Sequence, residues 1–313
     1  MKNVLVLGKG YISGKIEKYW KLEDYNLVRV SRSEYDYVER DGFDELINKY
    51  NPEFVINTYG YTGKPNVDAC QTQEDECRLR NVRHTAWIFF NCCRHGVHFV
   101  TVSTGCVYND ETGERVFTED DIPNFGSRNP TSSVYSKCKG EYQSHFYMTS
   151  MDSFTTMPYL LRIRMPFDAC MEDDKNYINK IIKYDKLVNY KNSITYIPDL
   201  VHFIEKIVQG KVMRGIYNVV NKGGITAEEI IDLYNDMVGS QFDDDRQKTI
   251  DKWYSTDDLL SEGLMKCRRS NCVLSTDKIE QYHPSLLTAK DAVWCALGQH
   301  LNKLKLEETQ CAE

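Results

Sequence analysis

Tyr135 and Lys139 stand four residues apart, about thirty positions after the run Ser103-Thr104-Gly105-Cys106. Side chains at i and i+4 share one face of a helix. Lys139 can then keep its positive charge beside the Tyr135 phenol and favour the ionised form. A phenol kept in proton-transfer range can protonate a carbonyl oxygen while hydride reaches the carbon. Thr104 can hydrogen-bond the same oxygen. Cys106 has no part in such a reduction, but a thiolate there could remove protons from the carbons flanking the carbonyl. A bare Tyr-x-x-x-Lys also occurs on ordinary solvated helix faces, so the weight falls on the elements that must position it.

Composition narrows the classes first. The chain has 313 residues, 41% of them hydrophobic, enough for a sizeable core in two lobes or one large unit. Its net charge of −7 and pI near 5.6 give no basic field for nucleic acid or an anionic membrane. The N-terminus enters a strand directly, and no apolar run reaches the length of a membrane span, so neither signal peptide nor span is expected. Eleven scattered cysteines without paired spacing read as free thiols of a reducing cytosol, which makes the expected location cytoplasmic. Seven histidines show no ligand spacing, and no metal is expected.

The first half alternates short apolar strands with amphipathic helices, the rhythm of a parallel sheet covered on both faces. Strands are expected at Asn3–Leu7, Leu27–Ser31, Phe54–Asn57, His98–Ser103 and Tyr159–Arg164, with Asn51-Pro52 as a stop before the third. Helices are expected up to about Trp20, from Glu74 to His95, and from Ser132 or Ser133, either of which makes a good N-cap. Gly113 to Thr131 reads as a polar surface excursion. Beyond Pro166 the alternation breaks into an acidic loop, Asp168–Asp174, and a short helix, Tyr177–Tyr184. A strand at Gly215–Val220, a helix at Thr226–Val238, a charged exposed stretch at Gln241–Asp251 and a helical tail fraying over Leu306–Glu313 complete the chain. Of Arg162 and Arg164, one is expected to face solvent or a structural carboxylate, and Asn81 to support the active-site strand.

Gly8-Lys9-Gly10-Tyr11-Ile12-Ser13-Gly14 follows the first strand and opens a helix. Glycines there let backbone approach a pyrophosphate seated on helix N-terminal N–H groups. Ser13 takes the place of a third glycine. The second strand ends in Ser31-Arg32-Ser33 with no acidic residue at the tip, which favours a 2′-phosphate and hence NADPH over NADH. Asn57 and Gly60, at the end of the third strand, complete the cofactor-facing set. The fold class is therefore α/β, a Rossmann-type doubly wound parallel sheet with a smaller mixed C-terminal substrate lobe. The dinucleotide domain is expected over 1–165, with a return to it near 194–220, and the lobe over 166–193 and 221–313.

In order along the chain, Thr62-Gly63-Lys64-Pro65-Asn66-Val67-Asp68, Ser103-Thr104-Gly105-Cys106-Val107-Tyr108 and Glu119-Asp120-Asp121-Ile122-Pro123-Asn124-Phe125 are followed by Tyr135-Ser136-Lys137-Cys138-Lys139. Arg162-Ile163-Arg164-Met165-Pro166, Asn176-Tyr177-Ile178-Asn179-Lys180-Ile181 and Arg269-Ser270-Asn271-Cys272 complete the series. This set resembles the extended short-chain dehydrogenase/reductase family. More narrowly it resembles the nucleotide-rhamnose synthase branch, the bifunctional UDP-4-keto-6-deoxyglucose 3,5-epimerase/4-reductases of plants and large viruses. The resemblance implies Thr104, Tyr135 and Lys139 as the reductase triad, with Tyr135 and Lys139 also on the cofactor, and Cys106 with Lys180 as the epimerase pair. Lys180 would lower the pKa of Cys106 and return a proton from the opposite ring face. It further implies substrate contacts at Asn66, Met165, Asn179 and Asn271, a UDP-sugar partner, and compatibility with a homodimer. The chain departs from the family in its shorter glycine turn, in an insertion at Gly126–Ser133 and over residues 241–265.

Two other readings remain. One is a 4-reductase of another UDP-4-keto-6-deoxysugar, such as an N-acetylated hexulose, without epimerase activity. The other is a non-catalytic regulatory subunit on the same fold, like the reductase-like partner of methionine adenosyltransferase.

Overall fold

The computed structural model describes residues 1–64, 66–126, 131–151, 158–240 and 246–311. Part of the 126–133 insertion, part of the charged stretch from Gln241, and the last residues of the tail therefore lie outside the described residues, as does Pro65.

A six-stranded, all-parallel sheet forms the centre, in the order β2-β1-β3-β4-β6-β9. Its strands are β1 (Lys2–Leu7), β2 (Tyr25–Val30), β3 (Pro52–Asn57), β4 (His98–Thr104), β6 (Tyr159–Ile163) and β9 (Gly215–Asn218). Between β4 and β6 the short β5 (Val116–Phe117) pairs with β10 (Val273–Leu274), while β7 (Pro166–Phe167) pairs with β8 (Thr195–Tyr196). The helices are α1 (Tyr11–Tyr19), α2 (Arg40–Tyr50), α3 (Glu74–Arg78), α4 (His84–Arg94), α5 (Val134–Met151), α6 (Tyr177–Lys183), α7 (Ile197–Val208), α8 (Ala227–Gly239), α9 (Thr256–Ser261), α10 (Asp277–Glu280) and α11 (Ala289–Cys311). No helix among the described residues is long and apolar enough to cross a membrane.

The strands are near-continuous apolar runs because both faces are covered. Val4, Val6, Phe54 and Ile56 pack with Ile16 of α1 and the inner side of α7. Leu5, Leu7 and Val55, pointing the other way, pack with Phe43 and Leu46 of α2 and Ile88 of α4. This is the doubly wound fold expected from the strand-helix rhythm. A separate apolar cluster unites Phe167, Ile178 and Ile181 with α8 and α11.

Several local expectations need correcting. The long helix after Glu74 is interrupted by a π turn over Leu79–Arg83. Pro52 is the first residue of β3, where the missing N–H costs nothing. The excursion after Gly113 carries β5 and buries Phe117 and Phe125. Asp168, at the start of the acidic loop, is completely buried.

Arg162 and Arg164 are both buried, so neither faces solvent as expected. Arg162 Nε donates to Gln143 Oε1 at 2.9 Å, and Gln143 Nε2 donates to the Thr104 carbonyl at 2.8 Å and to Ser103 Oγ at 3.1 Å. Gln143 lies eight residues after Tyr135, on the same face of α5, and so pins that helix to the end of β4. Gln143→Ala leaves a buried guanidinium short of its side-chain acceptor and should cost about 2 kcal/mol of unfolding free energy. Urea denaturation checks this, and an unchanged midpoint would discard the pinning role.

Candidate active site

The sheet order reverses between β1 and β3, and ligands of open α/β sheets bind at the carboxyl ends of strands flanking such a point. Here β1 ends in Gly8, whose φ of 103° lies in the region that favours glycine. A Cβ at Gly8 would stand 3.1 Å from Thr58 Oγ1, whereas the Cβ position at Gly10 meets nothing within 4 Å. Gly10 is the N-cap of α1, so Tyr11 and Ile12 begin a helix whose first turn has open space beside its cap. Ser13, in the third glycine position, is buried and donates its hydroxyl to the Gly10 carbonyl at 3.0 Å. The serine thus turns back onto its own loop instead of intruding on the turn. This geometry fits a dinucleotide pyrophosphate held by Gly8, Gly10, Tyr11 and Ile12.

The tip of β2 is more occupied than its residue types indicated. Ser31 gives its N–H and its hydroxyl to Glu34 Oε2, both at 2.7 Å, and Lys9 donates to Oε1 of the same carboxylate at 2.6 Å. Lys9, and then the Ser31 N–H, hold the Glu34 carboxyl down to about 2, so it stays anionic. Arg32 turns its Nε to Asp36 at 2.9 Å. A 2′-phosphate placed here would meet Arg32 but would have to compete with Glu34 for Ser31.

At the end of β3, Asn57 knits the sheet, donating to Thr101 Oγ1 at 3.3 Å and accepting the Tyr59 N–H at 3.1 Å. Gly60 lies where a Cβ would be 3.1 Å from Asn81 Oδ1 and 3.4 Å from Lys139 Nζ. Asn81, in the π turn, binds Tyr61 through both backbone groups, accepting its N–H at 3.0 Å and donating to its carbonyl at 2.7 Å. Its supporting role is thus to hold the loop after β3 against the Lys139 ammonium.

Tyr135 and Lys139 face the end of β4 from the first turns of α5, which Ser133 caps by accepting the Ser136 N–H at 3.0 Å. Lys139 Nζ lies 5.8 Å from the centre of the Tyr135 ring. Thr104 and Cys106 both stand close enough to the Tyr135 phenol to act on it electrostatically. Burial pushes the Tyr135 phenol upward and pulls the Lys139 ammonium down to about 8. Desolvation therefore outweighs the Lys139 charge, and the ionised phenol expected from the sequence is disfavoured. Thr104 Oγ1 accepts the Cys106 N–H at 3.1 Å, which leaves the threonine proton free to donate.

Cys106 meets a cation other than the one expected. Arg164 Nη1 donates to its sulfur at 3.1 Å and to Ser270 Oγ at 2.8 Å, while Nη2 reaches the Ser270 carbonyl at 3.0 Å and Asn192 Oδ1. Arg164 Nε is buried and unpaired. Tyr177, on the first turn of α6, is close enough to Arg164 for the guanidinium to offset part of the upward push of burial on its phenol. Lys180 lies one turn further along the same helix, half-buried, its ammonium pulled down first by burial and then by Lys175. Sequence reasoning missed Arg164 and Gln143 as site residues. The i+8 position of Gln143 behind Tyr135 was the available signal.

The remaining sugar-side positions are distributed. Asn66 caps a short 3-10 turn by accepting the Asp68 N–H at 2.8 Å. Met165, between β6 and β7, has a φ of 40°, a strained value for a side chain other than glycine. Asn179 donates to the Asp173 carbonyl at 3.1 Å, and Asn271 accepts from Asn192 Nδ2 at 3.0 Å. Met165 and Asn271 thus flank the Arg164 network through sequence neighbourhood and Asn192 respectively.

Residues 1–151 match the family model described as RmlD substrate binding domain. A trifunctional UDP-glucose 4,6-dehydratase/UDP-4-keto-6-deoxy-D-glucose 3,5-epimerase/UDP-4-keto-L-rhamnose-reductase of Arabidopsis thaliana is 30% identical over 82% of this chain. The chain spans only 36% of that relative's length. A bifunctional dTDP-4-dehydrorhamnose 3,5-epimerase/reductase of the same plant is 28% identical, covering 93% of this chain and 91% of the relative. Among solved structures, the L780 UDP-rhamnose synthase of Acanthamoeba polyphaga mimivirus shares the fold with a TM-score of 0.81 at 22% identity, over 95% of this chain and 99% of that one.

The β2 tip generates a binding prediction. Arg32→Ala should weaken 2′,5′-ADP binding about tenfold and leave 5′-AMP unchanged, while Glu34→Ala should strengthen 2′,5′-ADP alone. Calorimetric titration of both nucleotides distinguishes these outcomes, and equal effects on the two would refute the 2′-phosphate contact.

Proposed function

We propose that the chain is an NADPH-dependent 4-reductase of a 4-keto-6-deoxy nucleotide sugar that first epimerises its substrate at C3 and C5. UDP-4-keto-6-deoxyglucose is the substrate and UDP-L-rhamnose the product. The observation that carries this reading is the convergence of Tyr135, Thr104 and Cys106 at the end of β4, with Arg164 on the sulfur. The relatives' activities support it, and a Bacillus anthracis dTDP-4-dehydrorhamnose reductase with the same fold was solved with NADP.

Hydrogens at C3 and C5 of such a sugar are acidic because both carbons flank the C4 carbonyl. Removing either places charge on the C4 oxygen, where Tyr135 and Thr104 donate. Preorganised donors of this kind contribute about 3–4 kcal/mol each to the transition state. Cys106 is the base, and the Arg164 guanidinium is the cation that its thiolate faces. Lys180, pulled down by burial, is suited to return a proton from the other face of the ring. The dinucleotide supplies hydride to C4 when bound at the α1 turn. Tyr135 then passes its proton to the C4 oxygen, and Lys139 holds positive charge beside the phenolate that results.

A reductase without epimerase activity, acting on another UDP-4-keto-6-deoxysugar, is favoured by one observation. The Cys106 sulfur is already an acceptor for Arg164, which is also what a merely structural cysteine would be.

Incubation with UDP-4-keto-6-deoxyglucose and NADPH in heavy water, followed by NMR, separates the readings. Deuterium at C3 and C5 of a rhamnose product is expected; a reduced product without deuterium leaves the reductase alone, and no product at all overturns the assignment of this substrate. Cys106→Ser should abolish deuterium incorporation yet spare reduction of an already epimerised ketone. Tyr135→Phe should lower kcat about 10³-fold, within the range of lost general acids. The rate should also fall as pH rises through about 8, where Lys139 loses its proton, because the protonated amine is the useful form. A kcat/KM profile flat to pH 9.5 (roughly a unit and a half past that value) would remove Lys139 from the role.

A further inference from the structure

A buried ion pair outside the chemistry above joins the two halves of the site. Lys15, on α1, is 7% exposed, and Asp168, just after β7, is 0% exposed. Lys15 Nζ donates to both carboxylate oxygens, at 2.9 and 2.8 Å, and Tyr19 OH donates to Oδ2 at 2.9 Å. Lys18 stands outside them, 3.8 Å from the same carboxylate. On its far side Asp168 accepts the Cys170 N–H at 3.2 Å, and both its carboxylate and its carbonyl accept from Asn176 Nδ2, at 3.3 and 2.7 Å.

Asn176 is the N-cap of α6. Its Oδ1 accepts the Ile178 and Asn179 N–H groups at 3.0 and 3.4 Å. One asparagine therefore directs its amide NH2 to Asp168 and to the Cys170 carbonyl, at 3.0 Å, and its side-chain carbonyl to the first turn of α6. That turn carries Tyr177, and Lys180 follows three residues later. The chain of contacts runs from the helix of the dinucleotide turn, through a carboxylate, to the helix of the sugar-side lysine. Buried ion pairs add little net stability, since desolvation offsets their attraction, but a broken one is costly and so the geometry is tightly held.

We propose that Lys15 and Asp168 are a positioning pair that sets α6, and with it Lys180, against the dinucleotide turn of α1. The role of Lys180 rests on the epimerase reading above; the tie between α1 and α6 does not. The decisive comparison is the full chain against Lys15→Met/Asp168→Asn, which removes both charges and keeps the acceptors for Cys170 and Asn176. Amide hydrogen exchange is followed first, then deuterium wash-in at C3 and C5, then reduction of an already epimerised ketone.

Amides of residues 178–184 should exchange about tenfold faster in the double variant while those of β1, β3 and β4 keep their rates. Wash-in should fall about tenfold with reduction kept within about twofold, the split that a displaced Lys180 produces and a general packing defect does not. Unchanged exchange in α6 overturns the proposal, as does equal loss of wash-in and reduction. If the unmodified chain shows no wash-in, the epimerase reading fails by itself and the amide rates still decide the tie. Should the double variant not fold, Tyr19→Phe, which removes one donor from Asp168, must speed the α6 amides in the same direction or the proposal falls.

Discussion

A single buried guanidinium ties together the loops around Cys106. Arg164 leaves the sheet one residue after β6 and binds chain at three remote points, Cys106, Asn192 and Ser270. A charge taken out of water needs acceptors, and these three points supply them to both Nη atoms, so the three loops cannot shift independently. The same residue explains why Gly105 stands between Thr104 and Cys106. A Cβ there would lie 2.9 Å from Arg164 Cδ and 2.6 Å from Leu274 Cδ1. Without a side chain at 105, the arginine stem passes behind the loop, Thr104 faces Tyr135, and Cys106 turns to the guanidinium. The Thr104 hydroxyl and the Cys106 thiol stand two positions apart because the glycine between them leaves room for the arginine stem.

The α/β architecture was legible because periodicity reports burial. Strands covered on both faces are continuous apolar runs, and β1, β3, β4 and β6 fall within two residues of their expected bounds. The start of α5 was readable from Ser133 and the i, i+4 relation of Tyr135 to Lys139. The electrostatics were not readable. The sequence pairs a lysine with a tyrosine and predicts an ionised phenol, but only three-dimensional burial shows that desolvation wins and keeps the proton on Tyr135. Likewise Ser31 looks like a free phosphate donor until Glu34, three residues on, is seen to take both of its protons.

Long-range polar contacts were the other hidden layer. Arg162 with Gln143, Arg164 with Ser270, and Lys15 with Asp168 join residues 19, 106 and 153 positions apart. No local pattern announces such partners, because the physical demand is for an acceptor at a point in space. The acidic loop after Pro166 illustrates the limit. Composition marks it as solvated, yet its first carboxylate is buried, where Lys15 arrives from α1.

These cations bear on how so acidic a chain would hold the anionic nucleotide proposed for it. A net charge of −7 opposes any long-range attraction to a nucleotide. Binding must then depend on positive charge that acts at short range and is poorly screened. Lys139, Arg164 and Lys180 are buried or half-buried around the end of β4 and α6, where the low dielectric strengthens each interaction. Surface acids set solubility at a distance, whereas enclosed cations set the chemistry at contact. The positive charges gathered around this candidate site are ones withdrawn from water.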